Sequence, residues 1–122
     1  MTRINGVILA GSGDGLFGPE TKGYAPSEAD VSSAEPAVLE RIGADAPDLL
    51  DRLSEYLCQV IGFVADGRRR IYFNFFHREQ DEARGNWRQE PVFVLDGGDD
   101  YFHAVYDVDS GRCVSFYVNG EA

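Results

Sequence analysis

Residues 57–77, LCQVIGFVADGRRRIYFNFFH, decide the fold of this 122-residue chain. Two runs rich in β-branched and aromatic residues flank the dipeptide Asp66-Gly67. That dipeptide is a strong hairpin signal, because a type I′ turn needs a positive φ at both of its central residues. Strands joined this closely must run antiparallel. The stretch therefore predicts a β-hairpin with strands at about 57–65 and 69–77.

The second strand of this hairpin alternates between two sets of side chains. Ile71, Phe73 and Phe75 share one face, and Tyr72 and Asn74 lie on the other. We expect the first face to pack on the core and the second to meet solvent. Three further strands are predicted downstream, at about 91–96, 101–108 and 112–118. The long polar connection before them, residues 78–90, has Trp87 as its only large apolar anchor and is expected to be mobile.

Two helices are predicted before the sheet. The first begins at Ser32, where Glu35 completes a capping box, and ends at Gly43. The second begins at Asp45-Ala46-Pro47, and its apolar residues have the spacing of one helical face. These residues, expected in the core, are Leu49, Leu50, Leu53, Tyr56 and Leu57. Helices followed by an antiparallel meander indicate an α+β fold, in which N-terminal helices pack on a curved antiparallel sheet of about four or five strands.

The chain is acidic, with 21 Asp and Glu against 11 Lys and Arg and a formal net charge of -10. The resulting negative potential repels phosphate backbones and anionic lipid headgroups, which disfavours nucleic acid and membrane surfaces as partners. Apolar residues make up 43% of the chain, so the acidity does not indicate disorder. We expect a single globular domain spanning residues 1–122, whose charge suits a protein partner with a basic surface.

The two cysteines, Cys58 and Cys113, form no CxxC pair and no Cys/His cluster of the kind that zinc requires. Two free thiols in a reducing cytoplasm are the simpler interpretation, and a single disulfide between them stays open. The apolar run from Val7 to Ala10 is too short for the hydrophobic region of a signal peptide. We expect a cytoplasmic protein that uses no cofactor.

Residues 11–26 are predicted to form a flexible glycine-rich loop. Within it, residues 13–18 match GxGxxG, which in dinucleotide-binding proteins leads into a helix whose amides meet the phosphates. Here Pro19 follows at once, and no helical pattern begins before Ser32. The context therefore does not favour phosphate binding by this loop.

Residues 94–107, VLDGGDDYFHAVYD, combine four aspartates with His103. A divalent-metal site here would use Asp96, Asp99 and Asp100 together with His103. The alternative is a tight connection between strands, in which the two glycines and the aspartates supply turn geometry. Residues 107–111, DVDSG, resemble the start of a calcium loop but lack its terminal bidentate Glu, so we interpret them as a turn.

That turn predicts the register of the last hairpin. A three-residue loop with Gly111 in the left-handed conformation opposes Val108 to Arg112. The register then places apolar pairs on a buried face: Tyr106 with Val114, Ala104 with Phe116, and Phe102 with Val118. His103 and Tyr117 lie opposite each other on the other face, which also carries Asp107.

Four polar or aromatic side chains are the candidate ligand-binding residues: Tyr72, Asn74, His103 and Tyr117. No catalytic residue is assigned. Cys58 with His77 or His103 would supply a thiol and a base, but strand positions alone do not bring them together. The cluster Arg68-Arg69-Arg70 has two interpretations, a solvated edge that discourages aggregation and a contact point for an anion.

An ordered set of motifs supports a resemblance over roughly residues 30–122. The segments are Asp30-Val31 with Ala34-Glu35, Tyr56 with Gln59 and Ile61-Gly62-Phe63, Arg70-Ile71-Tyr72-Phe73-Asn74-Phe75-Phe76, Trp87, Val94-Leu95-Asp96-Gly97-Gly98 with Tyr101-Phe102, and Asn119-Gly120-Glu121-Ala122. They resemble a family of small bacterial proteins without an established activity, in which DGGxxYF and a terminal NGxA are the most specific motifs.

The resemblance implies a cystatin-like or NTF2-like shape, with a helix cradled by a curved antiparallel sheet. Val60 departs from the family pattern, where an aromatic residue is more common, and His77 stands where a cysteine is frequent. Members of the family often carry an export or lipid-anchor signal, which departs from the cytoplasmic location expected above.

Three functional hypotheses follow from the sequence. The leading one is a non-enzymatic binding or interaction module, of which an inhibitor or immunity-type protein is one form. The first alternative is a small-molecule binder or enzyme of NTF2-like type that uses a cavity between helix and sheet. The second is a divalent-metal-binding protein. An exposed edge strand makes a homodimer as plausible as a monomer.

Overall fold

A computed structural model describes residues 4–9, 15–81, 85–94 and 97–120 of the chain. The described residues form one six-stranded sheet and two α-helices, which confirms the predicted α+β class. The strands are β1 (Gly6–Ile8), β2 (Lys22–Tyr24), β3 (Tyr56–Ala65), β4 (Arg68–His77), β5 (Tyr101–Asp107) and β6 (Arg112–Val118). The helices are α1 (Glu28–Asp45) and α2 (Pro47–Asp51), and short 3-10 turns lie at Leu53–Glu55, Arg78–Gln80 and Gly98–Asp100.

The central hairpin forms as predicted. Ala65 pairs with Arg68, and the two residues between them have φ values of 53° at Asp66 and 74° at Gly67. Both are positive, as a type I′ turn requires. From this hairpin the sheet continues by antiparallel pairing through β4, β5 and β6.

The outer edge of β3 carries two short strands that the sequence analysis missed. β1 pairs parallel with Cys58–Val60, and β2 pairs antiparallel with Gly62–Val64. Residues 22–24 were predicted as part of the loop 11–26, and that part of the prediction is wrong; residues 11–14 lie outside the described residues. Gly62 permits the close approach of β2, since a Cβ there would lie 2.3 Å from the carbonyl oxygen of Tyr24.

Helix α1 begins earlier and ends later than predicted. Its cap is Ser27, whose hydroxyl accepts a hydrogen bond from the backbone N of Asp30 at 3.0 Å, while the Asp30 carboxylate accepts one from the backbone N of Ser27 at 3.2 Å. The predicted cap at Ser32 is therefore wrong, and Glu35 is instead buried and accepts a hydrogen bond from the backbone N of Ile4. Burial of Val31 one turn upstream explains why the helix extends in this direction.

The second predicted helix is shorter than expected. Helix α2 ends at Asp51, and Tyr56 and Leu57 belong to β3. The apolar spacing over 49–57 therefore does not describe one helical face. A short apolar run fits a helix and a buried strand equally well. Here residues 56 and 57 form a strand because they pair with β4.

Both faces of the sheet are covered. Helix α1 packs on one face over a core that includes Phe73, Phe75 and Phe102. The other face, called here the far face, carries two further apolar clusters, one of which contains Phe76 and Trp87. The expectation of a solvated face is therefore wrong.

A segment without strand structure lies on the far face where a strand was predicted at 91–96. Residues 91–94 are not a strand, and residues 95 and 96 lie outside the described residues. We call residues 85–94 the strap. It covers the sheet with Trp87 and Val92, which are 2% and 9% exposed.

The last hairpin follows the predicted register over most of its length. Phe102 pairs with Val118 and Ala104 with Phe116, and His103 lies opposite Tyr117. Between Val105 and Tyr106 the register shifts, so Tyr106 pairs with Cys113 and Asp107 with Arg112. The predicted pairs of Tyr106 with Val114 and Val108 with Arg112 are thus wrong, because a β-bulge inserts one residue in β6. Gly111 has a φ of 71°, in the left-handed region as predicted.

Candidate functional site

Polar side chains buried in the far face hold the strap. Gln59 is fully buried and uses every hydrogen-bonding position of its amide. Its Nε2 donates to the carbonyl oxygens of Trp87 and Glu90, each at 2.6 Å. Its Oε1 accepts from Asn74 Nδ2 at 2.9 Å and from the backbone N of Val92 at 2.8 Å. This one side chain therefore satisfies three backbone groups of the strap.

Two asparagines extend this arrangement along the strap. Asn74 Nδ2 also donates to the carbonyl oxygen of Val92, and Asn119 Nδ2 donates to that of Val94, both at 2.6 Å. Trp87 packs edge-on against Phe76 with ring centroids 5.3 Å apart, which confirms it as an apolar anchor. Within the connection 78–90, which was expected to be mobile, Trp87 and Glu90 thus have hydrogen bonds to the sheet.

A second buried arrangement joins Tyr72, His103 and Asn119. The Tyr72 hydroxyl lies 2.6 Å from His103 Nδ1, and His103 Nε2 lies 2.7 Å from Asn119 Oδ1. Because Asn119 Nδ2 is occupied as a donor to Val94, Oδ1 must accept, so His103 Nε2 carries the proton. His103 Nδ1 then accepts from the Tyr72 hydroxyl. The assignment is a neutral imidazole with both nitrogens satisfied.

The electrostatics of this pair favour a structural role. Burial lowers the pKa of His103, which opposes protonation of the ring. Burial, followed by the neighbouring Tyr117 hydroxyl, raises the pKa of Tyr72 well above its ordinary value. A protonated tyrosine and a neutral histidine locked to each other form a stable polar contact rather than an activated nucleophile.

The structure brings together the predicted ligand-binding residues, but on the far face instead of between helix and sheet. Tyr72, Asn74 and His103 are 5%, 1% and 3% exposed, and Tyr117 is 53% exposed. Three cavities of about 290, 280 and 600 Å³ lie elsewhere, and none of them is lined by these four residues.

An aromatic surface lies above this polar layer. The Tyr117 ring packs in a tilted orientation on His103 with centroids 4.5 Å apart. Phe93, which is 50% exposed, lies with its ring centroid 6.2 Å from that of Tyr72. Phe17 packs on Tyr72 at 4.9 Å. The buried polar groups therefore hold a platform whose solvent side presents large apolar side chains.

Strand β6 borders this platform and forms an edge of the sheet. Among the described residues no strand pairs with its outer side, whereas the opposite edge carries β1 and β2. Its residues 113–118, CVSFYV, are uncharged, and Val114, Tyr117 and Val118 are 44%, 53% and 37% exposed. Natural proteins usually protect such edges with charges, short strands or covering segments. The edge of β6 lacks a charge over these six residues.

The residues of the metal hypothesis are engaged elsewhere. Asp99 forms an ion pair with Arg52 at 3.1 Å, and Asp100 accepts a hydrogen bond from Gln80 at 3.3 Å. His103 is occupied by Tyr72 and Asn119, as described above, and Asp96 lies outside the described residues. Within the part of the chain that the structure describes, no three His, Cys, Asp or Glu side chains are placed to share an ion.

The sequence DVDSG at 107–111 is a turn in the structure. The Asp107 carboxylate accepts a hydrogen bond from the backbone N of Ser110 at 2.9 Å, and the backbone N of Gly111 donates to the Asp107 carbonyl oxygen at 2.9 Å. These bonds close the loop from within. They support the predicted turn over a calcium loop.

No thiol and imidazole pair forms among the candidates named. Cys58 is wholly buried on the helix face of the sheet, and burial raises the pKa of its thiol well above the ordinary value. His103 lies on the far face, and His77 contacts the Glu55 carboxylate at 3.0 Å. Cys58 and Cys113 are both free thiols.

The sequence analysis missed Gln59 and Asn119 as organising residues. The available signal was an amide side chain inside a strand that is otherwise apolar, since such a buried group must find partners. The strap groups that Gln59 binds lie 28 or more residues away along the chain, so the sequence could indicate the need for a partner without identifying it.

Comparison of the chain with known proteins finds no match to any protein-family model, curated protein or solved structure. In the described residues, neither helix combines the length and the apolar character needed to span a membrane. The geometry of the strap, the aromatic surface and the edge of β6 therefore supports the functional inference.

Proposed function

We propose that this protein is a non-enzymatic binding module that takes up an extended segment of a partner protein along the outer edge of β6. The observation that supports the proposal is the uncharged edge of residues 113–118, which no described strand covers and which exposes Val114, Tyr117 and Val118. An unpaired strand offers a row of backbone donors and acceptors to an incoming strand.

The surroundings of the edge support docking of side chains as well as backbone. Tyr117 belongs to both the edge strand and the aromatic surface, so a partner strand beside β6 would lie next to that surface. Aromatic residues are enriched at the centres of protein interfaces, where they bury a large area at a small entropic cost. The buried pair Tyr72 and His103 holds the platform rigid, which lowers the cost of ordering it on binding.

Charge indicates the chemistry of the partner. The net charge is -10, and the arginines Arg41, Arg52, Arg68, Arg69 and Arg70 are already paired with aspartates. A basic partner would be steered toward this field, and an acidic one repelled. The partner in this proposal is a protein with a basic surface and a segment able to adopt a strand.

We also propose a specific fold type and family for the chain. A long helix lying across one face of an antiparallel sheet supports a cystatin-like or NTF2-like shape and, with the motif resemblance, membership of the small bacterial family. An inhibitor or immunity-type protein is the form of binding module that suits an acidic chain with a basic partner. Cavity-based small-molecule binding has less support, because Tyr72, Asn74 and His103 are buried and bonded to protein groups.

The experiment compares capture of partners by wild type, Val118→Lys and a control. Lys at an edge position is one of the devices by which natural proteins prevent strand addition. Ser33→Lys places the same charge on an exposed position of α1, away from the edge. A partner captured from cell extract is purified, and its affinity for each variant is measured by calorimetry.

We expect a 1:1 complex that Val118→Lys weakens by about tenfold or more, with Ser33→Lys within about twofold of wild type. If both variants weakened partner affinity equally, the added charge alone would explain the loss, and the proposal would be contradicted. Sedimentation of the pure protein tests whether a second copy of the chain occupies the edge. A dimer lost in Val118→Lys would assign the edge to a second copy of the chain.

A further inference from the structure

A cleft at the start of β6 gathers positive charge in an otherwise acidic protein. The cleft has a volume of about 600 Å³ and is lined by four arginines together with one carboxylate, that of Asp107. The four arginines are Arg41, Arg68, Arg70 and Arg112. They come from α1, β4 and β6, so the fold itself brings them together.

The single carboxylate of the lining is occupied by two of these guanidinium groups. Arg68 Nε donates to Asp107 Oδ2 at 2.8 Å, and Arg70 Nε donates to the same oxygen at 3.4 Å. Asp107 is 1% exposed, and the hydrogen bond from Arg68 is the first cause that lowers its pKa far below the ordinary value. The carboxylate therefore stays ionised and fixes both arginines, while one negative charge balances only one of the two positive charges.

The other two guanidinium groups add further charge. Arg41 pairs with Asp45 at 2.8 Å through Nε and donates from a terminal nitrogen to the carbonyl oxygen of Cys113 at 3.3 Å, which holds it against β6. Arg112 is exposed and forms no ion pair with any described residue. Glu40 lines the adjoining cavity, and Asp109 lies close enough to act on Arg68 while it pairs with Arg69. With these groups and Asp45 included, five arginines of this corner face four carboxylates, a surplus of one positive charge.

We infer that this cleft binds a small oxoanion with two or more negative charges, the chemistry of a phosphate monoester or a polycarboxylate. Arginine presents planar forks of N–H donors that match the oxygens of such groups. Size is limited by the rest of the protein, because a long polyanion would meet the acidic remainder of the surface, whereas a small anion meets only the cleft.

The cleft shares Cys113 and Val114 with the edge of β6, but its test is separate from that of strand addition. Val118 lies at the other end of the strand from Arg112. The variant that tests strand addition therefore leaves the cleft arginines intact. Arg112→Gln leaves residues 113–118 unchanged, whereas Arg41→Gln also removes the hydrogen bond to the carbonyl oxygen of Cys113.

The test titrates the full chain with inorganic pyrophosphate and with citrate by calorimetry, with sodium chloride at matched ionic strength as the reference. Arg112→Gln removes the unpaired guanidinium, and Arg78→Gln removes an exposed arginine outside the cleft. Circular dichroism checks that both variants fold. A second cleft variant, Arg41→Gln, provides an independent loss of charge.

We expect saturable binding of pyrophosphate at concentrations below about 10 mM, weakened about fivefold to tenfold by Arg112→Gln and by Arg41→Gln and unchanged by Arg78→Gln. If citrate bound as tightly as pyrophosphate, the cleft would still be an anion site, and its ligands would include carboxylates as well as phosphates. Absence of binding beyond the chloride reference, or equal weakening by Arg78→Gln, would overturn the inference.

Discussion

Replacing Gln59 with Met should release the strap while keeping the rest of the fold. Methionine fills nearly the same volume as glutamine but cannot hydrogen-bond to the backbone. The substitution leaves the carbonyl oxygens of Trp87 and Glu90 and the backbone N of Val92 without their partner. At about 1 kcal/mol for each group, the free energy of unfolding should fall by about 3 kcal/mol.

The same loss can be expressed as a melting temperature. With an unfolding entropy of about 2.1 cal/mol/K per residue, a domain of this length should melt about 12 °C lower. The effect should also be local. Trp87 is the single tryptophan of the chain and lies in the strap, so its fluorescence reports directly on strap detachment.

The assay is urea unfolding followed by Trp87 emission and by far-ultraviolet circular dichroism. In wild type the two transitions should coincide, and in Gln59→Met the fluorescence transition should come first. Gln89→Met is the matched control, because Gln89 is an exposed glutamine of the same strap. A Gln59→Met protein within about 1 kcal/mol of wild type, with coincident transitions, would refute the claim that buried amides hold the strap.

Because burial lowers the pKa of His103 in the folded state, the unfolded chain takes up the proton first as the pH falls. The urea midpoint of unfolding should therefore decrease as the pH drops below the ordinary pKa of 6.5. His103→Gln should remove this pH dependence, and His77→Gln should keep it. Gly62→Ala should lower the free energy of unfolding, measured with urea, by about 2 kcal/mol or more, since its Cβ would lie 2.3 Å from the Tyr24 carbonyl oxygen. The control Gly120→Ala should lower it little, because open space surrounds its Cβ. In thiol titration of the native protein, Cys113 should react and Cys58 should not, because Cys58 is fully buried. We expect one rapidly reacting thiol before denaturation and two after it. Two rapidly reacting thiols in the native protein would be incompatible with the fold.

The hairpin and the last strands could be predicted because their signals are local. Asp66-Gly67 determines a turn by the φ values that it needs, and the apolar alternation of β5 and β6 sets their register up to the bulge. The bulge itself has no such signal. It inserts one residue at Val114, and no turn residue marks the position.

The start of α1 shows how two equal local signals mislead. Ser27 with Asp30 and Ser32 with Glu35 both have the spacing of a capping box. Tertiary burial decides between them, because Val31 packs into the core and Glu35 turns to the backbone of Ile4. The strands β1 and β2 have three residues each, too few for alternation to show.

The site was only partly predictable for a related reason. Alternation placed Tyr72, Asn74 and His103 on one face, and the structure agrees. What the sequence could not indicate was that the polar strap folds back over that face, since the bonds from Gln59 and Asn119 join residues far apart in the chain. Tyr72, Asn74 and His103 are thus bonded to other groups of the protein, whereas Tyr117 is exposed.

Backbone hydrogen exchange of the protein, free and in its complex, shows whether the edge of β6 receives a partner strand. We expect the outward-facing amides within residues 112–118 to exchange rapidly in the free protein and to become strongly protected in the complex. Protection confined to other surfaces, with β6 exchanging at the same rate in both states, would contradict it.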